Sequence, residues 1–312
     1  MRVEPLPSSA PELIVRFWGV RGSIPCPGPE TVGYGGNTSC VELRLGNEVI
    51  ILDAGSGIRP LGLSLTRELA EQSLDLTLLI SHTHWDHIQG LPFFRPAYAP
   101  SNRIRIMGAA GTRARLQAAL VSQMDPLQFP IALDSLAGIA AIDEFDSGTT
   151  TLGSFEVRTI SLNHPGGCTG FRLTAEGVNI AYLPDHEPYQ AALESSDPNV
   201  AAAAESAQSA LLEFLEDCDL LILDSQYDRT EYPSHIGWGH GCLDESVALA
   251  LRARVGSLFL FHHDPEHADE KIDAMLAQAR RQVAESGSQM RVEAACERTQ
   301  LAPRARQKTL AA

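Results

Sequence analysis

Ten residues, SHTHWDHIQG at Ser81–Gly90, place four metal-ligand side chains in one short span: His82, His84, Asp86 and His87. The run just before them, Leu76-Thr77-Leu78-Leu79-Ile80, is short, apolar and β-favouring, and it reads as a buried strand. The cluster therefore belongs where that strand ends, on backbone the strand holds rigid. Alternate residues of extended backbone point the same way, so His82 and His84 can converge on one ion. Asp86 and His87 follow in the turn and can face a second ion beside it. Imidazole with carboxylate suits zinc, and manganese is the harder alternative. A loop rich in histidine by accident has no reason to space four such groups this way after a core strand.

H-x-H-x-D-H after a strand resembles the signature of the metallo-β-lactamase superfamily of hydrolases. The resemblance implies an α/β (α+β) four-layer αββα sandwich, two mixed sheets covered by helices. The rest of the chain agrees with that expectation. Leu13 to Trp18 reads as a first strand, and Cys40–Leu45 and Glu48–Leu52 read as a hairpin about Gly46-Asn47. Ile58–Ala70 and Thr112–Met124 have helical spacing, with a strand at Arg103–Met107 between them. Further strands are expected at Phe155–Ser161, Gly170–Thr174, Val178–Leu183, Asp219–Asp224, Ser257–Phe261 and, last, Met290–Ala295. Helices are expected from Asp197 to Glu216, with Leu211, Leu212 and Leu215 inward, and at Leu243–Arg254 and Glu266–Glu285. No repeat or shift of composition divides the chain, so one domain over 1–312 is expected, with a loose lead-in (1–12) and a frayed tail (304–312).

The chain of 312 residues carries a formal charge of −15. That balance argues against a non-specific nucleic-acid coat, which needs a basic surface. It leaves room for a small phosphorylated substrate, because bound ions reverse the local field. The six scattered cysteines form no C-x-x-C pair and read as mostly buried thiols in a reducing compartment. The N-terminal sequence MRVEPLPSSAPELIV has no leader pattern and no apolar run reaches membrane length, so a cytoplasmic protein without membrane partners is expected.

Two ions need more ligands than the first cluster supplies: a third imidazole, a bridging carboxylate and another imidazole. His164 follows a strand in NHPGG and fits the third ligand of the first ion. Asp185 follows a strand in YLPD and can bridge through its two oxygens. Phe259-Leu260-Phe261 runs into His262-His263, either of which can be the last ligand; His262, first after the strand, is preferred. His186 is expected behind the site or at the surface, and His263 and His267 at a pocket rim or the surface. His235 reads as an ordinary loop residue. His240, in GWGHG before a helix, is a candidate general acid, since an imidazole titrates near neutrality. Asp53, at the end of a strand, can support the ligands from behind. Arg21, Asn37, Thr38 and Ser39 lie in a Gly/Pro-rich loop that could line the site's mouth.

FWGVRGS, YGGNTSC, the Asp of YLPD and the GH before a helix resemble one branch of the superfamily. That branch holds tRNA 3′-processing endonucleases, PhnP-type phosphodiesterases and cyclic-nucleotide phosphodiesterases. Carried over, the resemblance gives His82, His84 and His164 to one ion. It gives Asp86, His87 and His262 to the other, with Asp185 between them and His240 near the scissile phosphate. It also implies a homodimer. Asp185 stands where the best-known zinc β-lactamases have cysteine, and His84 where di-iron flavoproteins have glutamate, which disfavours antibiotic hydrolysis and redox chemistry. No Gly-rich, basic arm for gripping tRNA is present. The expected function is a two-ion phosphodiesterase on a small cyclic phosphate or cyclic nucleotide, attacking with a hydroxide poised between the ions. Asp86 would accept a hydrogen bond from that hydroxide, and His240 would protonate the leaving alkoxide. The alternatives are an RNA 3′-processing nuclease and a lactone or thioester hydrolase; a non-catalytic metal sensor would tolerate a degenerate ligand set, and this set is complete.

Overall fold

The computed structural model describes residues 12–69, 72–146 and 148–306. Residues 1–11 of the expected lead-in, the end of the tail (307–312) and Ala70 fall outside them. Two seven-stranded sheets make up the centre. The first contains β1 (Leu13–Gly19), β2 (Cys40–Leu45), β3 (Glu48–Leu52), β4 (Asp75–Leu79), β5 (Arg103–Gly108) and β6 (Ile139–Glu144). The second contains β7 (Thr149–Leu152), β8 (Phe155–Leu162), β9 (Cys168–Ala175), β10 (Val178–Leu183), β11 (Leu220–Asp224), β12 (Ser257–Phe261) and β13 (Arg291–Ala294). A two-residue strand, β14 (Gln300–Leu301), returns to pair antiparallel with β1 in the first sheet. Both sheets are mixed in the same way, antiparallel at one side and parallel at the other. The parallel pairings run β3-β4-β5-β6 and β10-β11-β12-β13.

The side-chain pattern explains the layering. β1 alternates strictly between buried and half-buried residues, so one face turns inward. Phe17, Val41, Leu43, Phe155, Val157, Phe171, Ile180, Tyr182 and Phe261 from both sheets form one apolar layer between them. β11 is buried on both faces. Its other face packs, with β12, on Leu211, Phe214 and Leu215 of the helix Pro198–Leu215. Val247, Ile272 and Met275 of two further helices complete that layer. The outer face of the first sheet packs on Ile58, Leu61, Leu65, Leu116 and Leu120 of the helices Ile58–Leu69 and Arg113–Gln123. Three apolar layers separate four structural ones, which is the αββα sandwich expected. Burial of such side chains contributes roughly 1.5–3 kcal/mol each.

Several expectations need correction. The last helix begins at Asp269, not Glu266, because the Asp264 side chain accepts the Glu266 N–H (2.8 Å) and turns the chain there. The last strand is β14, whose two residues carry no periodicity to read. β6 and β7, at the sheets' outer edges, are half-buried or exposed apart from Leu152, and neither is expected from the sequence. Leu212 is only partly buried, and Phe214 takes the inward position instead. The tail is docked as far as Arg306, whose N–H donates to Asp219 (2.8 Å) and whose guanidinium donates to the Cys218 carbonyl (3.1 Å).

A two-part histidine and aspartate site

The site lies at the carboxyl ends of β3, β4, β8, β10, β11 and β12, where open α/β sheets commonly carry their chemistry. His82 and His84 follow β4 in extended chain, and Trp85–Ile88 then forms a single helical turn that swings Asp86 and His87 inward. Ligand atoms of His82, His84, His164 and Asp185 lie within 4.8 Å of one another, and so do those of Asp86, His87 and His262. Asp185 touches both groups: Oδ2 is 3.5 Å from His82 Nε2 and 3.6 Å from His164 Nε2. Its Oδ1 is 3.0 Å from His87 Nε2 and 3.3 Å from His262 Nε2.

The imidazoles are aimed by what their other nitrogens touch. His87 Nδ1 meets Asp53 (2.8 Å), His164 Nδ1 the Gly239 carbonyl (2.8 Å), and His262 Nδ1 Gln226 Oε1 (2.9 Å). Ser81 Oγ donates to Asp53, so it is free to accept from His82 Nδ1 at 3.0 Å. Each partner accepts, so each Nδ1 carries a proton, and each ring in its neutral form has an Nε2 lone pair for the centre. Those lone pairs face carboxylate oxygens. His82 Nε2, His87 Nε2 and Asp185 Oδ1 are buried and make no hydrogen bond, a penalty of about 1–3 kcal/mol apiece. Cations between nitrogen and oxygen would remove it, and this mixed N/O donor set fits zinc or manganese.

On the proton side three imidazoles are held neutral, while the carboxylates around His87 favour its charged form. Burial pushes His82, His84 and His164 below the ordinary imidazole range. Burial opposes charge on His87 as well, yet Asp185, Asp86 and Asp53 lift it well above that range. Asp185 and Asp86 are buried, and the surrounding imidazoles hold both well below the carboxylate range. His240 sits beside this group, stacked on His262 at 4.9 Å and 18°. Burial again opposes its charge, but Asp224 Oδ2 at 3.0 Å from Nδ1 dominates and raises it to about 9.

Of the two candidates after β12, His262 faces the cluster, while His263 turns away to the Ala295 carbonyl (2.9 Å). His262 adopts φ +60°, a left-handed conformation that costs a non-glycine residue about 1–3 kcal/mol. Its ring fits only because residue 22 is glycine; a Cβ there would lie 2.4 Å from the ring. His263 and His267 are buried rather than at the surface, and His267, which lines a cavity beside the site, pairs with Glu231 (2.9 Å). Arg21 does not line a mouth either. It is fully buried and donates to the carbonyls of Gly35, Asp264 and His267, clipping the first loop onto the loop after β12. Thr38 and Ser39 are buried beside it. His186 is buried, and burial lowers it to about 4.

Other contacts had no residue-level reading in the sequence. Ser23 N–H donates to Asp86 (2.8 Å), and Gln226 holds His262. Asp224 accepts from His240, and from the N–H groups of His186 (3.2 Å) and Gln226 (3.0 Å). Asp53, Asp185 and Asp224 share one legible signal: an acidic residue where an apolar strand ends, in IILD, YLPD and LILD.

The sequence model of the family described as "Beta-lactamase superfamily domain" matches residues 49–263. The chain thus belongs to the metallo-β-lactamase-fold hydrolase superfamily. It is 22% identical to the ribonuclease Z of Thermoplasma acidophilum, over 89% of this chain and 94% of that protein. The ribonuclease Z of Lacticaseibacillus casei is 26% identical over 79% and 85%. Among solved structures, unliganded yeast PDE1 superposes with a TM-score of 0.67 at 15% identity, covering 93% of this chain and 99% of that one. A diphosphatase from the PhnP family gives 0.61 at 16%, covering 93% and 97%. These likenesses bear on the fold.

Proposed function

We propose that this protein is a two-ion phosphodiesterase acting on a small phosphate diester, a cyclic phosphate or cyclic nucleotide. The observation that carries the reading is the convergence of seven His and Asp side chains on two adjoining points, with His240 beside them. His82, His84 and His164 would hold one divalent ion, Asp86, His87 and His262 the other, and Asp185 would touch both; zinc fits best, and manganese shares the donor preference. Two such ions supply charge neutralisation of a diester and ionise water near neutral pH.

The chain's own groups do the rest. Asp86, fixed by the Ser23 N–H, is placed to accept a hydrogen bond from the attacking water and orient it. His240, kept protonated by Asp224, can donate to the leaving oxygen, a role worth about 10²- to 10⁴-fold in rate. The likeness in fold to a PhnP-family diphosphatase and to yeast PDE1 supports phosphate chemistry. A second reading, cleavage at the 3′ side of tRNA, is favoured by relatives named ribonuclease Z. The charge of −15 weighs against it, because a long polyanion needs a basic track.

Metal-assayed protein should be tested on bis-p-nitrophenyl phosphate, a panel of 2′,3′- and 3′,5′-cyclic nucleotides, and a pre-tRNA with a 3′ trailer. Chelator-sensitive turnover of a cyclic nucleotide is expected. Efficient trailer cleavage with inert cyclic nucleotides would replace the proposal with the nuclease, and a fully metallated protein inert to every phosphodiester would end both.

A further inference from the structure

On the His240 side of the cluster opens a cavity of about 730 Å³ that has no part in holding ions. Its inner wall is the site itself: Ser23 binds Asp86, Gln226 holds His262, and His240 closes it. Its outer wall is aromatic. His235 lies flat on Tyr227, with centroids 4.2 Å apart and planes at 15°. Trp238 stands edge-on to His235 at 4.7 Å and leaves 59% of its surface exposed.

That wall is braced. The buried Glu187 carboxylate accepts the N–H groups of Gly237 (2.7 Å) and Gly239 (2.8 Å), one on each side of Trp238, and the Tyr232 hydroxyl (3.1 Å). The Trp238 N–H donates to the His235 carbonyl. Both glycines take φ +88°, a conformation open to glycine and strained for other residues. A Cβ on Gly239 would also strike the His164 ring at 2.3 Å. The loop that presents Trp238 is therefore tied to the one that positions His164 and His240.

The cavity's charges are mostly acidic. Glu231, Asp264, Glu266 and Glu270 line it, and its one lysine, Lys271, is already bound by Asp228 and Glu231. Apart from His240, whose charge is matched by Asp224, a phosphate chain finds no counter-charge there that is not already paired. A flat ring bearing N–H groups finds both an aromatic face and carboxylate acceptors.

We propose that this cavity receives the nucleobase of a nucleotide diester, with Trp238 as the stacking contact and with the lining carboxylates setting a preference for a base that carries an exocyclic amino group. The proposal takes its place for the scissile phosphate from the phosphodiesterase reading above, but its test does not depend on turnover. Calorimetry on the metal-loaded protein should measure binding of adenosine, guanosine and cytidine, with purine riboside as the ring lacking the amino group and ribose 5-phosphate as the ring-free control. The same titrations on Trp238→Leu and Trp238→Phe, each checked for folding and metal content, complete the set.

Amino-bearing nucleosides should bind more tightly than purine riboside. Trp238→Leu should weaken them by about 5- to 100-fold, Trp238→Phe should restore most of the affinity, and ribose 5-phosphate should not distinguish the variants. Nucleosides that fail to bind the wild-type protein, or bind Trp238→Leu equally well, overturn the proposal. Nucleoside binding without chelator-sensitive hydrolysis would leave the cavity assignment standing and remove the reaction; hydrolysis without nucleoside binding would do the reverse.

Discussion

His84 stands in solvent at the edge of the His82–His84–His164 group, whereas Asp86, His87 and His262 are all buried. The second group also has more of the molecule behind it. Asp53 ties His87 to Tyr182 and to Ser81, which also backs His82, Gln226 ties His262 to Asp264, and Ser23 holds Asp86. A ligand at the rim can be lost without disturbing the core, while a ligand in the interior is also part of the packing. The two halves should therefore respond differently to substitution even though the proposed reaction needs both.

The largest effect is expected where the halves meet. Asp185→Ala should lower turnover by more than about 10³-fold, since it removes a group on which the others depend, and metal analysis should find both ions depleted. Retention of two ions would remove Asp185 from its shared position. Next comes His240→Gln, which should cost about 10²- to 10⁴-fold in kcat while metal content and melting temperature stay at wild-type values. Loss of metal in that variant would make His240 a ligand rather than a proton donor.

The contrast itself is tested by a matched pair. His84→Ala should lose metal and activity with little change in thermal stability. Asp53→Ala should weaken metal binding by about 10- to 100-fold and also destabilise the fold by about 3–5 kcal/mol, because a buried charge partner is removed. Equal melting temperatures for the two variants would erase the distinction drawn here. The smallest effect concerns an exposed ion pair far from the site. Arg103 and Asp75 lie 3.9 Å apart and are largely solvated, so Asp75→Ala should change stability by less than about 1 kcal/mol and leave kcat unaltered.

The two halves also differ in what the sequence reveals of them. The first cluster is legible because its members are adjacent and follow an apolar strand, so local spacing fixes their geometry. His164, Asp185 and His262 are legible one at a time, each as a ligand-type residue just past a strand. What stays hidden is what the backbone contributes. The Ser23 N–H to Asp86, the Gly239 carbonyl to His164 and the left-handed φ of His262 have no signature in residue types. Arg21 and His263 read as mouth and rim because their chemistry is polar; most of the carbonyls that accept their hydrogen bonds, and so allow their burial, come from loops remote in sequence. The edge strands β6 and β7 escape for the opposite reason, since sequence pattern detects strands through burial and these have little.

The most direct test of a two-ion hydrolase is to measure metal content and phosphodiester turnover together while the protein is stripped with chelator and titrated back. About two divalent ions per chain are expected, with turnover vanishing on stripping and returning only as the second ion is replaced. Turnover that survives complete stripping, or reaches its full value with a single ion, would contradict the account.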